Sequence, residues 1–343
     1  MSHRMTRARN LAHQQAMRAR RFLNEHGWDV QRLDEESRRH TLTSYDDTVP
    51  LPPGAAEYLR PDNPLLRELR SAYAGLEAAA AAPTLWEDSF VDDQVSLPWF
   101  RGDNAYVWQY RALRGGTEAR MYINLLQTRR ADHLGLLDRL TEDGLFGVWT
   151  FDLGGQRVSR DLLDSIDEIN YLDSRLGLSE RGHFSVLDIG AGYGRLAHRM
   201  AEAFPGTVTY DCMDGVPHST FLSDYYLRFR DLHDARAVRL DRLEDMHDSY
   251  DIAVNVHSFT ECPLEAVEWW LELVAKKSVE WLLVVPNHPT ELLTTEADGV
   301  RRDFRPSIEA AGYQLVDFRP VHEEPELRRL IGTDHHFFLF QRG

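Results

Sequence analysis

Residues 186–197 read VLDIGAGYGRLA. Val186, Leu187 and Ile189 form a short buried-strand pattern. Gly190, Gly192 and Gly194 make a tight turn, and the run LAHRMAEAF after Arg195 has helical character. A strand that passes through a glycine turn into a helix leaves free backbone N–H groups at the helix N-terminus. Without Cβ atoms, glycines let a ligand come close to that backbone. Asp188 stands inside the strand end, just ahead of the glycines.

Outward from this turn the pattern alternates. Strand SVLDI at 185–189 precedes a helix at 195–204, and strand TVTYDCM at 207–213 precedes a helix at 217–231. Strands follow at 235–240 and 250–256, then a helix at 263–276, a strand at 279–285 and a helix at 301–311. Two late strands, 313–321 and 335–342, have no obvious helix between them, which predicts an antiparallel hairpin at one edge. Such alternation implies an α/β fold with a mostly parallel sheet covered by helices on both faces. Upstream the pattern is helical: a polar segment at 5–26, Pro64 to Ala82, Thr117 to Asp143, and RDLLDSIDEINYLDSRLG from Arg160, capped by Ser159. Residues 37–54 read as loop, 84–115 as aromatic and irregular, and LGGQ at 153–156 as a turn. The expected division is a mostly helical region at 1–150, serving as lid, acceptor pocket or oligomer surface, and an α/β domain at 151–343.

Composition sets bounds. The chain has 343 residues and a formal charge of −16, with 39 basic against 55 acidic side chains. A nucleic-acid binder normally shows a basic footprint, so none is expected as partner. Acidity serves solubility, and it would also attract a cationic substrate such as an aminosugar. The two cysteines, Cys212 and Cys262, fit a reducing cytoplasm without structural disulfides. No stretch of 18 or more apolar residues suggests a membrane span. Residues 1–21 carry six arginines and no acid, which reads as a solvated helical arm; no apolar signal core follows.

Two cofactors suit the glycine turn. Gly192-x-Gly194-x-x-Ala197 fits a loose dinucleotide fingerprint, which would make the chain an NAD-dependent oxidoreductase. The fuller Asp-x-Gly-x-Gly-x-Gly arrangement, Asp188 to Gly194, resembles motif I of the class I S-adenosylmethionine (SAM) methyltransferases. Asp214, at the tip of the second strand, suits a ribose contact in either case, since a carboxylate accepts hydrogen bonds from both hydroxyls; Asp-Gly is equally a turn signal. Asp241, ending the next strand, is a candidate for the adenine pocket, and Asn255 completes the cofactor set.

Three further stretches extend the resemblance: VSRDLLDSIDEINYLDS before the glycine turn, DGVPHSTFLSDYYLRFRD after the second strand, and VNVHSFTEC after the fourth. Together they resemble a family of sugar O-methyltransferases of bacterial natural-product and polysaccharide gene sets, over about residues 100–343. That resemblance implies the Rossmann-like class I fold, a seven-stranded sheet with its last strand antiparallel. It also implies SAM as methyl donor, S-adenosylhomocysteine as product, and a sugar hydroxyl as acceptor. Where the family pattern leads to expect Asn-Ser-Phe-x-Glu-Met, this chain has His257-Ser258-Phe259-Thr260-Glu261-Cys262.

A sugar hydroxyl needs a base during attack, whereas an amine needs only a free lone pair. Ligands of an open α/β sheet gather at the carboxyl ends of its strands. That places His257 as the candidate base, with Glu261 orienting it or binding a hydroxyl or ammonium, and His288 as a second base candidate. Both histidines also have structural readings: His257 as a cap or backbone partner, His288 as a loop residue between Pro286 and Pro289. Magnesium favours clustered carboxylates, and none follows the fourth strand, so no metal is expected. Arg101, Asp103, Asn104 and Trp108 are the candidate acceptor contacts within the aromatic stretch, whose other reading is packing between helices and sheet. Arg160 and Asn170 would approach the methionine end of SAM, or Arg160 would pair with Asp164 at i,i+4. His335-His336 would touch substrate or stand at the strand start without a role. The expected function is methyl transfer to a sugar hydroxyl of a glycosylated natural product or its precursor. N-methylation of an aminosugar or aminoglycoside is the alternative. An NAD-dependent oxidoreductase and a noncatalytic binding protein come behind. A homodimer is left open.

Overall fold

The computed structural model describes residues 45–81, 86–102 and 116–343. By contacts the chain divides into Met1–Thr43 and a second compact unit, Ser44–Gly343, to which all the described residues belong. The helical arm and the segment 5–26 therefore lie outside the described residues.

LGGQ closes a small antiparallel hairpin, β1 (Phe151–Leu153) with β2 (Gln156–Val158). Seven further strands form one sheet: β3 (Phe184–Ile189), β4 (Val208–Met213), β5 (Ala235–Ala237), β6 (Ile252–Val256), β7 (Trp281–Val285), β8 (Tyr313–Pro320) and β9 (His336–Arg342). Their order is β5-β4-β3-β6-β7-β9-β8. The strands β3 to β7 pair in parallel, and β9 runs antiparallel to both β7 and β8. The expected α/β class, seven-stranded sheet and edge hairpin are all present.

Alternation along the central strands sorts their side chains to two faces. Val186, Ile252 and Val254 join one apolar cluster, with Met200 and Leu172. Leu187, Ile189, Ala253 and Val284 join the other, with Leu66, Leu69, Tyr73 and Phe100 from the upstream segment. Covering each such side chain contributes about 1.5–3 kcal/mol. The described part of the first 150 residues is thus packed onto the sheet, and no boundary at residue 150 separates two bodies.

Several elements are shorter than their periodicity suggests. The helix from Pro64 ends at Ala74, with Gly75 as its cap, and Ala79–Ala81 is a separate turn. The helix from Thr117 ends at Ala131 because Asp132 turns its carboxylate to the N–H groups of Leu136 and Leu137, at 2.9 and 2.8 Å. Strand β5 keeps only three residues, and the helix expected at 301–311 spans Arg305–Ala310. A short helix, Pro325–Ile331, stands between the two last strands, started by a proline at its first position. Among the described residues no helix is long and apolar enough to cross a membrane.

The chain runs from β3 outward through β4 and β5, then returns to the other side of β3 at β6. At such a reversal the two crossovers diverge and leave a crevice beyond the carboxyl ends of the strands. The glycine turn opens onto that crevice.

Candidate active site

A cleft of about 1400 Å³, open to solvent, occupies this crevice. Its floor is the glycine turn and its apolar walls include Trp86, Val91, Val95, Phe100, Leu196, Leu222 and Trp270. Asp188, Asp214, Glu261, His218, Ser219 and His257 are polar groups that converge on it.

The turn is built tightly. Gly190 and Ala191 donate to the Met213 carbonyl at 2.8 and 3.2 Å, tying β3 to the end of β4. Gly190 has φ +71°, and a Cβ there would lie 2.0 Å from Ser258 Oγ. Gly192, φ +59°, is different: a Cβ there would meet nothing within 4 Å, and the residue lines the cleft. Its open side is a cradle that a side chain would fill, as a backbone-bound ligand requires. Gly194 is the N-cap of the helix Arg195–Ala203 and packs on Leu227. Asn255 lies fully buried beneath the turn, donating to the Ile189 carbonyl at 2.9 Å and to Ser258 Oγ at 2.7 Å. It accepts from the Phe259 N–H at 3.0 Å, so it braces the turn and does not line the cleft.

Asp188 accepts from the Tyr210 hydroxyl at 3.0 Å, and burial pushes its carboxyl up to about 7. Asp214 accepts from the N–H groups of Gly192 at 3.0 Å and Val216 at 2.8 Å. Burial pushes it up to about 6, against the lowering effect of those two bonds. Each carboxylate oxygen keeps a further lone pair for a ligand donor. A glycine cradle flanked by two desolvated carboxylates fits a ligand with ribose hydroxyls and a cationic group, as SAM has; the same floor admits a dinucleotide ribose.

Glu261 reaches the cleft from the turn after β6. It accepts from Trp86 Nε1 at 2.8 Å and Asn287 Nδ2 at 3.2 Å, and burial raises its pKa. Trp86 therefore belongs to the wall of the cleft. Asn287 carries no signal in the sequence; it stands beside His288 in the loop after β7, and the loop presents the asparagine. His257 follows β6 with φ +69°, its N–H bonded to the Val285 carbonyl at 2.7 Å. Its ring packs against that of His335, with centroids 4.6 Å apart. Burial first, then His335, Arg160 and Arg195, hold its pKa well below the ordinary imidazole value, so it is neutral at neutral pH.

Several expected site residues stand elsewhere. Arg101 is 1% exposed and forms buried ion pairs with Glu142 at 2.8 Å and Asp161 at 3.5 Å; its charge is consumed by packing rather than offered to an acceptor. Asp241 forms a bidentate pair with Arg239, at 2.9 and 2.8 Å, away from the cleft lining. His288 does not line the cleft. Arg160 pairs with Asp164 at 3.1 Å, the i,i+4 outcome, and Asn170 bonds Asp132 at 2.9 Å and the Ile166 carbonyl at 2.9 Å. Asp103, Asn104 and Trp108 lie outside the described residues. Among the described residues no group of three or more His, Cys, Asp or Glu side chains is placed to hold a metal.

No family model matches the chain, and no curated protein does so significantly. Solved structures resemble it weakly. The magnesium protoporphyrin IX methyltransferase of Synechocystis, with bound S-adenosylhomocysteine, aligns over 66% of this chain and 98% of its own, at 14% identity and a TM-score of 0.40. An S-adenosylmethionine-dependent methyltransferase of Clostridium acetobutylicum aligns over 52% and 90%, at 11% identity and 0.39. The (4+2)-cyclase SpnF aligns over 64% and 96%, at 14% and 0.39. The functional reading rests on this chain's own cleft.

Proposed function

We propose that this chain is a SAM-dependent methyltransferase acting on a small-molecule acceptor. The observation that carries the reading is the open side of Gly192, set between Asp188 and Asp214 in a cleft that ends at His257 and Glu261. The sulfonium of SAM supplies the activated methyl group. Gly192 and its neighbours would take the cofactor's backbone-facing side, Asp214 the ribose hydroxyls, and Asp188 the cationic amino-acid end. The apolar walls exclude water, which would otherwise compete with the acceptor. His257, neutral and at the cleft end, would accept the proton of an acceptor hydroxyl.

The acceptor class comes from the sequence resemblance: a sugar hydroxyl of a glycosylated natural product or its precursor. Glu261 favours the alternative, an aminosugar or aminoglycoside nitrogen. A buried carboxylate held by two neutral donors has room in its charge balance for an ammonium group.

Calorimetric titration with S-adenosylhomocysteine and, separately, NAD tests the cofactor. Binding of the former alone, tightened by one class among neutral sugars and aminoglycosides, supports methyl transfer and selects oxygen or nitrogen. Binding of NAD alone moves the chain to the oxidoreductases, and binding of neither moves it to noncatalytic proteins.

A further inference from the structure

The cleft has two sides. In the sheet β3 stands between β4 and β6, so Asp214, following β4, lies on one side of the glycine turn. Glu261, following β6, lies on the other. Trp86 is bonded to Glu261 at 2.8 Å, so the wall formed by the segment 86–100 begins on the side away from Asp214. That wall is apolar. Trp86 spends its one N–H on Glu261 and offers a ligand only carbon. Val91 stands on the helix Asp88–Gln94, Val95 caps its end, and Phe100 follows; all three line the cleft.

The polar side chains that line the cleft are mostly engaged already. The Ser258 hydroxyl takes the Asn255 amide at 2.7 Å, the Tyr193 hydroxyl is bonded to Asp161, Ser219 bonds Asp214, and the His218 ring meets the Arg70 guanidinium. The charges are one-sided. Asp188, Asp214 and Glu261 line the cleft, and among the described residues its one guanidinium, Arg195, is paired with Glu168 at 2.9 Å.

We infer that the acceptor is a non-anionic amphiphile, whose polar end sits at Glu261 and whose apolar body lies against the wall of Trp86, Val91, Val95 and Phe100. This rests on the methyl-transfer reading and narrows it. For a sugar acceptor it means a glycoside already joined to an apolar aglycone; an aminosugar so joined fits equally. A nucleotide sugar or sugar phosphate would set its phosphates among three carboxylates with no uncommitted guanidinium to meet them. A free sugar would press hydroxyl groups against valine and phenylalanine side chains. Those hydroxyls would give up water and gain no partner. An aglycone makes the opposite exchange, because covering it and the wall removes apolar surface of both from water. Glu261 then has one polar group to read, which suits its place at the end of the apolar wall.

Calorimetric titration of the full chain, saturated with S-adenosylhomocysteine, tests the acceptor class. The probes are glucose, UDP-glucose, and octyl and naphthyl glucosides below their micelle concentrations. One of the two glucosides should bind roughly tenfold tighter than glucose or more, as burial of several carbons implies. UDP-glucose should bind no tighter than glucose. Glucosides that gain nothing over glucose, or UDP-glucose as the tightest probe, would overturn the inference. Val95→Asp sets a charge on the wall and should remove the gain of the glucosides, while Val95→Leu should keep it. A gain unchanged in a folded Val95→Asp protein overturns the inference; should that variant not fold, the wild-type series decides alone. S-adenosylhomocysteine separates the two ideas. If it binds but expels the glucosides, the wall belongs to the cofactor and the inference falls while methyl transfer stands. If it does not bind and a glucoside still does, the methyl-transfer reading falls, and the amphiphile site loses only its role as acceptor site.

Discussion

The Asp214 carboxylate accepts the backbone N–H of Gly192 at 3.0 Å, so the second acid of the cleft also fixes the shape of its floor. The same carboxylate takes the Val216 N–H at 2.8 Å. Asp214→Ala should therefore lose both cofactor affinity and stability, the latter by about 1–3 kcal/mol for donors left unsatisfied. Asp214→Asn keeps one acceptor oxygen but sets an NH2 group against the second N–H, so it should recover only part of that stability and bind S-adenosylhomocysteine about tenfold more weakly. Calorimetry with urea unfolding on both variants checks the split.

Gly190 and Gly192 should fail differently. At Gly190 a Cβ meets Ser258 Oγ at 2.0 Å and the backbone is left-handed, so Gly190→Ala should cost on the order of 2–4 kcal/mol. Adding Ser258→Gly should restore the part due to the clash and leave the backbone strain. At Gly192 no atom stands in the way and only the left-handed backbone, φ +59°, resists a side chain, so Gly192→Arg should lose about 1–2 kcal/mol, still fold, and no longer bind S-adenosylhomocysteine. Unchanged binding in Gly192→Arg would remove the cofactor from this cleft.

Stability of the ligand-free chain should fall as pH rises from about 4 to 7. Asp188 is pushed up from 3.8 to about 7, so the folded chain binds its proton more tightly than the unfolded chain does. The stability difference is full below the unfolded value and is lost by the time pH passes the folded one, a change of a few kcal/mol at ~1.4 kcal/mol per unit. Asp188→Asn should flatten this part of the profile, raising Tm relative to wild type at pH 8 but not at pH 4. Calorimetric scans across that range decide it.

Glu142 should show the opposite sign. It is fully buried between Arg101 at 2.8 Å and Arg199 at 3.2 Å and accepts from the Ser159 hydroxyl at 2.6 Å. Although burial works against it, the two guanidinium groups hold its pKa far below the ordinary carboxylate range. Its contribution is present above the unfolded value and is lost as pH falls below it. Glu142→Gln leaves buried cations uncompensated and should cost about 3–5 kcal/mol by urea unfolding.

His257→Ala should leave S-adenosylhomocysteine binding within about threefold and lower methyl transfer to a hydroxyl by about 10²–10⁴ in kcat. A loss confined to cofactor binding would make His257 a wall of the cofactor site and not its base.

Much of the site was legible along the chain. Asp188 and the three glycines are close in sequence, and a strand–turn–helix unit places them together through local geometry; Asp214 joins them through the parallel pairing of β4 with β3. The alternation of strands and helices likewise announced a parallel sheet. Arg101 and Asp241 misled because a charged side chain near an expected site says nothing about its partner. Glu142 and Arg239 took those charges, one from a distant loop and the other two residues away. The lengths of the helices from Pro64 and Thr117 misled for a related reason: Gly75 and Asp132 end them, although the apolar spacing runs on.

Sequence alone thus determined what depends on neighbours along the chain: the α/β alternation, the left-handed glycine turn, and an acid at the tip of each of two strands. Tertiary structure decided what depends on the order of strands in the sheet. Because β9 inserts antiparallel between β7 and β8, His335 arrives behind His257, while Asn287 and Trp86 converge on Glu261 from two other segments. No spacing rule encodes such meetings, since they are fixed by packing across the sheet and not by the period of any one element.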